Sequence, residues 1–319
     1  MLDEDIKEKS VFFGNSESVF TSLIEGIDYR LLQAIDEFIN HERPDAIYMH
    51  NIHPLNYRIA KFAKAHDITF IQHIHEPFVE NKSVYGGIYK YFLNIFEYLQ
   101  GKLLNLTDVA VVSSNIAANL FKRRYPNYSG KLIKVPLMYE DLGKDNVPPE
   151  SRRYITFIGP PIPAKGPEIF LKIVEYSNNH ALPLQYLLIS RYPLEDHFCD
   201  IPNLTLYHKD QISDPEMAKL LHQSLMTITP YKTARQSSVV LTSYMCGTPV
   251  LSSDIDGLRE SIHHLKTGYL VDLHAPVESW VGGIEYICDN NEVLSKNCRT
   301  EFVTNYSEIN WQQYLSQIM

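Results

Sequence analysis

The feature that most constrains the fold is an alternation carried by both halves of the chain. Short apolar runs are separated by longer stretches with helical periodicity. In the first half, Ala46-Ile47-Tyr48-Met49, Ile68-Thr69-Phe70-Ile71 and Val109-Ala110-Val111-Val112 read as buried strands. In the second, residues 154–158, 186–189, 226–229, 249–251 and 269–271 read the same way. Gly166-Pro167 and Asp214-Pro215 each place a proline at the first position of an expected helix. An earlier helix is expected on Leu31, Leu32, Ile35, Phe38 and Ile39. Strand–helix alternation implies parallel sheets covered by helices on both faces. The expected fold is therefore α/β, with two Rossmann-like domains facing a central cleft. The stretch 140–151, polar, with two prolines, a glycine and no apolar period, reads as the linker. The expected boundaries are 1–145 for the first domain and 152–300 for the second, with a helix over 301–319.

Composition narrows the function. A chain of 319 residues that is 45% hydrophobic and 21% charged is neither disordered, collagenous nor a coiled coil. Lys+Arg 29 against Asp+Glu 38 gives −9, the wrong sign for a nucleic-acid binder. No apolar run approaches the roughly 18 residues of a membrane span. Met1-Leu2-Asp3-Glu4-Asp5 lacks the layout of a signal peptide. Cys199, Cys246, Cys288 and Cys298 show no metal-ligand spacing. A cytosolic location is expected, with peripheral attachment at a membrane left open. Lys122-Arg123-Arg124 reads as a solvated helix end.

In parallel sheets ligands sit beyond the carboxyl ends of the strands, so the strand-exit loops are where chemistry is sought. After residues 154–158 comes Gly159-Pro160-Pro161-Ile162-Pro163-Ala164-Lys165-Gly166, feeding a helix. Free N–H groups at a helix start, with Lys165 beside them, suit a phosphate. Read alone, Lys165 is equally a solvated surface lysine. A second helix start follows at Gln236-Ser237-Ser238, where Ser237 or Ser238 can cap a helix closed by Gly247. Met49-His50-Asn51-Ile52-His53-Pro54 and Gln72-His73-Ile74-His75-Glu76-Pro77 gather imidazoles and a carboxylate at one sheet edge. Substrate or proton handling, satisfied structural histidines and a metal site are all open there. His73 and His75 lack the third ligand that a transition metal usually needs, so no metal is expected. Asp254-Ile255-Asp256 reads as turn chemistry before Gly257.

Together these stretches resemble the retaining glycosyltransferases of family four, also called group 1, which adopt the GT-B fold. The resemblance is carried in order by residues 44–54, Ile68 to Glu76, Asp108 to Asn115, Phe157-Ile158-Gly159 with Lys165-Gly166, Cys246-Gly247-Thr248-Pro249-Val250, Thr267-Gly268-Tyr269-Leu270-Val271, and the tail from Tyr306 to Leu315. It implies that the last helix returns to the first domain. It also implies transfer, with retention and without a cofactor, from a UDP- or GDP-linked sugar to a glycan, lipid or protein acceptor. By resemblance His75 faces the reacting sugar, with Lys165 the second catalytic residue. Gly159, Lys165, Gly166, Ser237, Ser238 and Thr242 hold the donor; Asn51, His53 and Glu76 lie on the acceptor side.

The departures are specific. Pro160 stands where the family has an arginine, and Ala234 and Thr242 stand where it has paired glutamates. Thr242 retains one hydroxyl for a ribose. Only about 40 residues precede Pro44, so the first strand–helix units of the first domain are expected to be missing. An exposed sheet edge would follow, to be covered by a second copy, a partner chain or the segment 1–40. Two alternatives to a transferase stand: a non-catalytic GT-B subunit or scaffold, and a GT-B sugar-nucleotide epimerase or phosphorylase.

Overall fold

The computed structural model describes residues 29–50, 52–78, 89–143, 152–194 and 196–318. The chain divides into two compact units. One ends at Val135 and includes residues 316–318; the other runs from Pro136 to Leu315.

In the first unit the described elements are α1 (Tyr29–Glu42), β1 (Ala46–Met49), α2 (Pro54–Ala65), β2 (Thr69–His73), α3 (Tyr89–Leu104), β3 (Val109–Val112), α4 (Asn115–Arg124) and β4 (Lys131–Lys134). The four strands pair in sequence order and every pair is parallel. Leu32, Ile35 and Ile39 recur at helical spacing on α1 and are buried with Leu55, Ile59, Ala60 and Ala63 of α2. A separate cluster packs Ala117 and Phe121 of α4 against Ala110 and Val112 of β3. Among the described residues β1 is an edge of this sheet, and α1 precedes it.

The second unit contains β5 (Tyr154–Ile158), α5 (Pro167–Asn179), β6 (Gln185–Ser190), β7 (Leu204–His208), α6 (Asp214–His222), β8 (Ser224–Thr229), α7 (Ser238–Met245), β9 (Val250–Ser253), α8 (Asp256–Arg259), β10 (Gly268–Val271), α9 (Val277–Asp289), α10 (Asn291–Asn305) and α11 (Trp311–Ile318), the last of which ends in the residues counted with the first unit. Its six parallel strands run β10-β9-β8-β5-β6-β7. That is the doubly wound order, in which strand order reverses between the first and fourth strands. Alternation along each strand feeds two cores. Phe157 and Leu188 meet Phe170 of α5 and Trp280 of α9 on one face. Ile158, Leu187 and Ile189 meet Leu221, Tyr244 and Phe302 on the other. Helices thus cover both faces, which is why these strands read as unbroken apolar runs.

The stretch that reads as a linker is bound over its first part. The Tyr139 N–H donates to the Tyr306 carbonyl, and Asp141 accepts both terminal nitrogens of Arg299 at 2.8 and 2.5 Å. Arg299 also donates to the Met245 carbonyl. Buried Arg152 donates to the carbonyls of Cys246 and Gly247 at 2.7 and 2.9 Å. Two guanidinium groups therefore cap the carboxyl end of α7, where the helix dipole is negative.

Candidate functional sites

At the carboxyl edge of the first sheet, β1 exits into His50, β2 ends at His73 and leads to His75, and β3 exits into Ser113. Parallel register brings these ends level, with His73 opposite Val111. The three imidazoles form one cluster. His73 and His75 stack with centroids 4.2 Å apart, and His50 meets them edge-on at 4.9 and 4.6 Å. Both nitrogens of His73 have partners: Nδ1 lies 2.7 Å from the Tyr48 hydroxyl and Nε2 lies 2.6 Å from Ser113 Oγ. Burial, with His75 and His50 adding to it, pushes His73 down to about 3. His75 is lowered by burial and by His50, against a ring hydrogen bond to the His50 backbone. His73 therefore stays uncharged at neutral pH.

Of the acceptor-side candidates, His53 is half-buried and its Nδ1 accepts the Leu55 N–H, capping α2. Glu76 is exposed, and Asn51 lies outside the described residues. Tyr48 and Ser113 carry no mark in the sequence beyond lying in a strand and in its exit loop. Their pairing with His73 depends on three strands lying side by side.

In the second unit the loops after β5 and β8 meet where strand order reverses. Gly159 has φ +126°, and a side chain there would meet open space. Pro163–Lys165 forms one short turn, and Gly166, at φ +66°, caps α5. A Cβ on Gly166 would lie 2.0 Å from the Pro230 carbonyl oxygen, so the loops touch through backbone. Lys232 N–H donates to the Ala164 carbonyl at 3.0 Å, and Lys165 Nζ stands 3.7 Å above the Tyr231 ring. Desolvation pushes Lys165 down to about 8.

Two expectations for α7 change. Ser237 holds the N-cap position by its backbone, but neither it nor Ser238 caps the helix with its side chain. Ser237 is instead buried beside Tyr231, and Ser238 is exposed. The Thr242 hydroxyl donates to the Ser238 and Val239 carbonyls at 3.0 and 3.3 Å, so its proton is spent inside the helix and only its lone pairs remain for a ribose. Asp254, in the turn after β9, accepts Arg259 Nε at 2.7 Å, which holds its carboxyl below the usual range.

Residues 139–301, just over half of the chain, match the family model described as glycosyl transferases group 1. A D-inositol 3-phosphate glycosyltransferase of Paenarthrobacter aurescens (strain TC1) is 25% identical over 169 residues, covering 50% of this chain and 41% of that relative. One from Thermobispora bispora is 32% identical over 81 residues, 25% and 19% of the two chains. The matched stretches thus span less than half of these curated relatives. Among solved structures, sucrose-phosphate synthase from Thermosynechococcus elongatus superposes with a TM-score of 0.69 at 15% identity, covering 96% of this chain and 79% of that one. A glycosyltransferase from Rickettsia africae ESF-5 gives 0.68 at 16%, covering 99% and 86%. These likenesses establish the fold, a pair of Rossmann-like α/β domains.

Proposed function

Because the chain belongs to the group 1 glycosyl transferases, we propose that it moves a sugar from a UDP- or GDP-linked donor to a glycan, lipid or protein acceptor, with retention and without a metal. The observation that carries this reading is the meeting of two loops at the point of strand reversal. They bring Lys165 to the start of α5 and set Ser237 at the start of α7. Glycosyl transfer passes through an oxocarbenium-like state while negative charge gathers on the leaving diphosphate. Preorganised cationic and backbone donors aimed at that charge are the largest expected source of rate. Two helix starts and one lysine supply both kinds. His75 is assigned to the transferred sugar as a neutral hydrogen-bonding group.

Calorimetry against a panel of nucleotides and nucleotide sugars tests this. One nucleoside diphosphate should bind, and Lys165→Ala should weaken it tenfold to hundredfold, as expected for a charge-assisted hydrogen bond of about 1.5–3 kcal/mol. Because only the ammonium attracts the diphosphate, affinity should also fall as pH rises through about 8. A second reading, a non-catalytic GT-B subunit, is favoured by Ala234 and by the Thr242 proton turned into its own helix. Silence across the panel, or equal binding by Lys165→Ala, selects it.

A further inference from the structure

We propose that His50, His73 and His75 form a binding site for one divalent transition cation of the zinc class, at the carboxyl edge of the first unit's sheet. One ligand nitrogen from each ring lies within 4.8 Å of the other two. Zinc binds imidazole nitrogen at about 2.0–2.1 Å, so three tetrahedral ligands stand about 3.3 Å apart. The rings need to close by about 1.5 Å at most to reach that geometry. His73 is fixed at a strand end, whereas His50 and His75 follow strand ends, so two ligands approach one anchor.

Two of the rings have fixed partners that can orient them toward a cation. A ligating imidazole usually donates its other N–H to a fixed oxygen, which orients the ring and aims the remaining lone pair. His75 has such a partner in the His50 backbone. His73 has a hydroxyl at each nitrogen, Tyr48 at 2.7 Å and Ser113 at 2.6 Å. The metal takes Nε2, where the Ser113 side chain can turn to another rotamer, while the Tyr48 hydroxyl stays at Nδ1 and orients the ring. His50 is exposed, which leaves a route for the ion and a fourth position for water. The proposed reaction needs no such ion. A seated cation would occupy His75 and so block transfer, a consequence that rests on the role proposed for His75; the site itself does not.

The test uses the full, tag-free chain titrated with cobalt(II), then zinc. One equivalent of cobalt should develop visible bands of tetrahedral intensity, and zinc should bleach them. His50→Ala, at an exposed position where folding is not at risk, should lower affinity at least tenfold with an unchanged melting temperature. Tyr48→Phe should lower it about tenfold by releasing the His73 ring. Absence of saturable binding, or equal binding by His50→Ala and His75→Ala, overturns the site by placing the cation on other histidines. Binding lost in both variants, with wild-type transfer indifferent to zinc, upholds the site and removes the sugar-facing role of His75.

Discussion

His73 shows how much one side chain is asked to do. Its ring joins Tyr48 to Ser113, stacks on His75, and is held neutral to about 3 where an exposed imidazole titrates near 6.5. The folded pKa lies below the unfolded one, so in acid the unfolded chain takes up a proton that the folded chain refuses. Stability should therefore be lost as pH falls from 6.5 toward about 3, with a slope of up to about 1.4 kcal/mol per pH unit from this one group. Denaturant melts of the parent and of His73→Gln across that range check this. The variant should be less stable at pH 7 but should lose less on acidification; parallel curves would show that His73 is not the titrating group. Lys165 is shifted in the same direction by the same cause, burial of a cation. Its ammonium is desolvated, which disfavours the empty protein and favours a bound anion.

At the scale of elements, the two loops beyond β5 and β8 act as one piece. Gly166 has a positive φ and sits against the Pro230 carbonyl, so Gly166→Ala meets both backbone strain and a clash. We expect a loss of more than about 1 kcal/mol and weaker nucleotide binding, although no ligand group has been removed. Chemical denaturation with nucleotide calorimetry on the same sample measures both; unchanged affinity would show that the loops move independently. The sequence displayed these elements unevenly. Buried strands such as Val109–Val112 and Tyr154–Ile158 stand out because helices cover both faces. Two strands escaped. β4 is Lys-Leu-Ile-Lys with only Ile133 buried, and β7 has no fully buried position; both lie at sheet edges. Edge strands bury too little to leave an apolar run. Lys165 and Gly166 were legible because a helix start has local signals. The partners of His73 were not, because their proximity is set by strand pairing across 25 and 40 residues.

For the whole molecule, the doubly wound sheet of the second unit sets the loops after β5 and β8 side by side, while Ala234 and Thr242 stand where the resemblance expects two glutamates. If these loops hold the donor, returning a carboxylate should strengthen that hold. Thr242→Glu should tighten binding of the preferred nucleotide sugar about tenfold or more by accepting ribose hydroxyls. No gain by calorimetry would mean that the ribose lies elsewhere.

The contact of Gly166 with Pro230 also bears on what a lineage can remember. Side chains are the letters by which chains are compared, and they can be exchanged one codon at a time. A phosphate cradle built from peptide N–H groups is written in no particular letter beyond its glycine. The two records fade at different rates, so a chain can look like a distant member by its spelling while its main chain still keeps the contact between the loops.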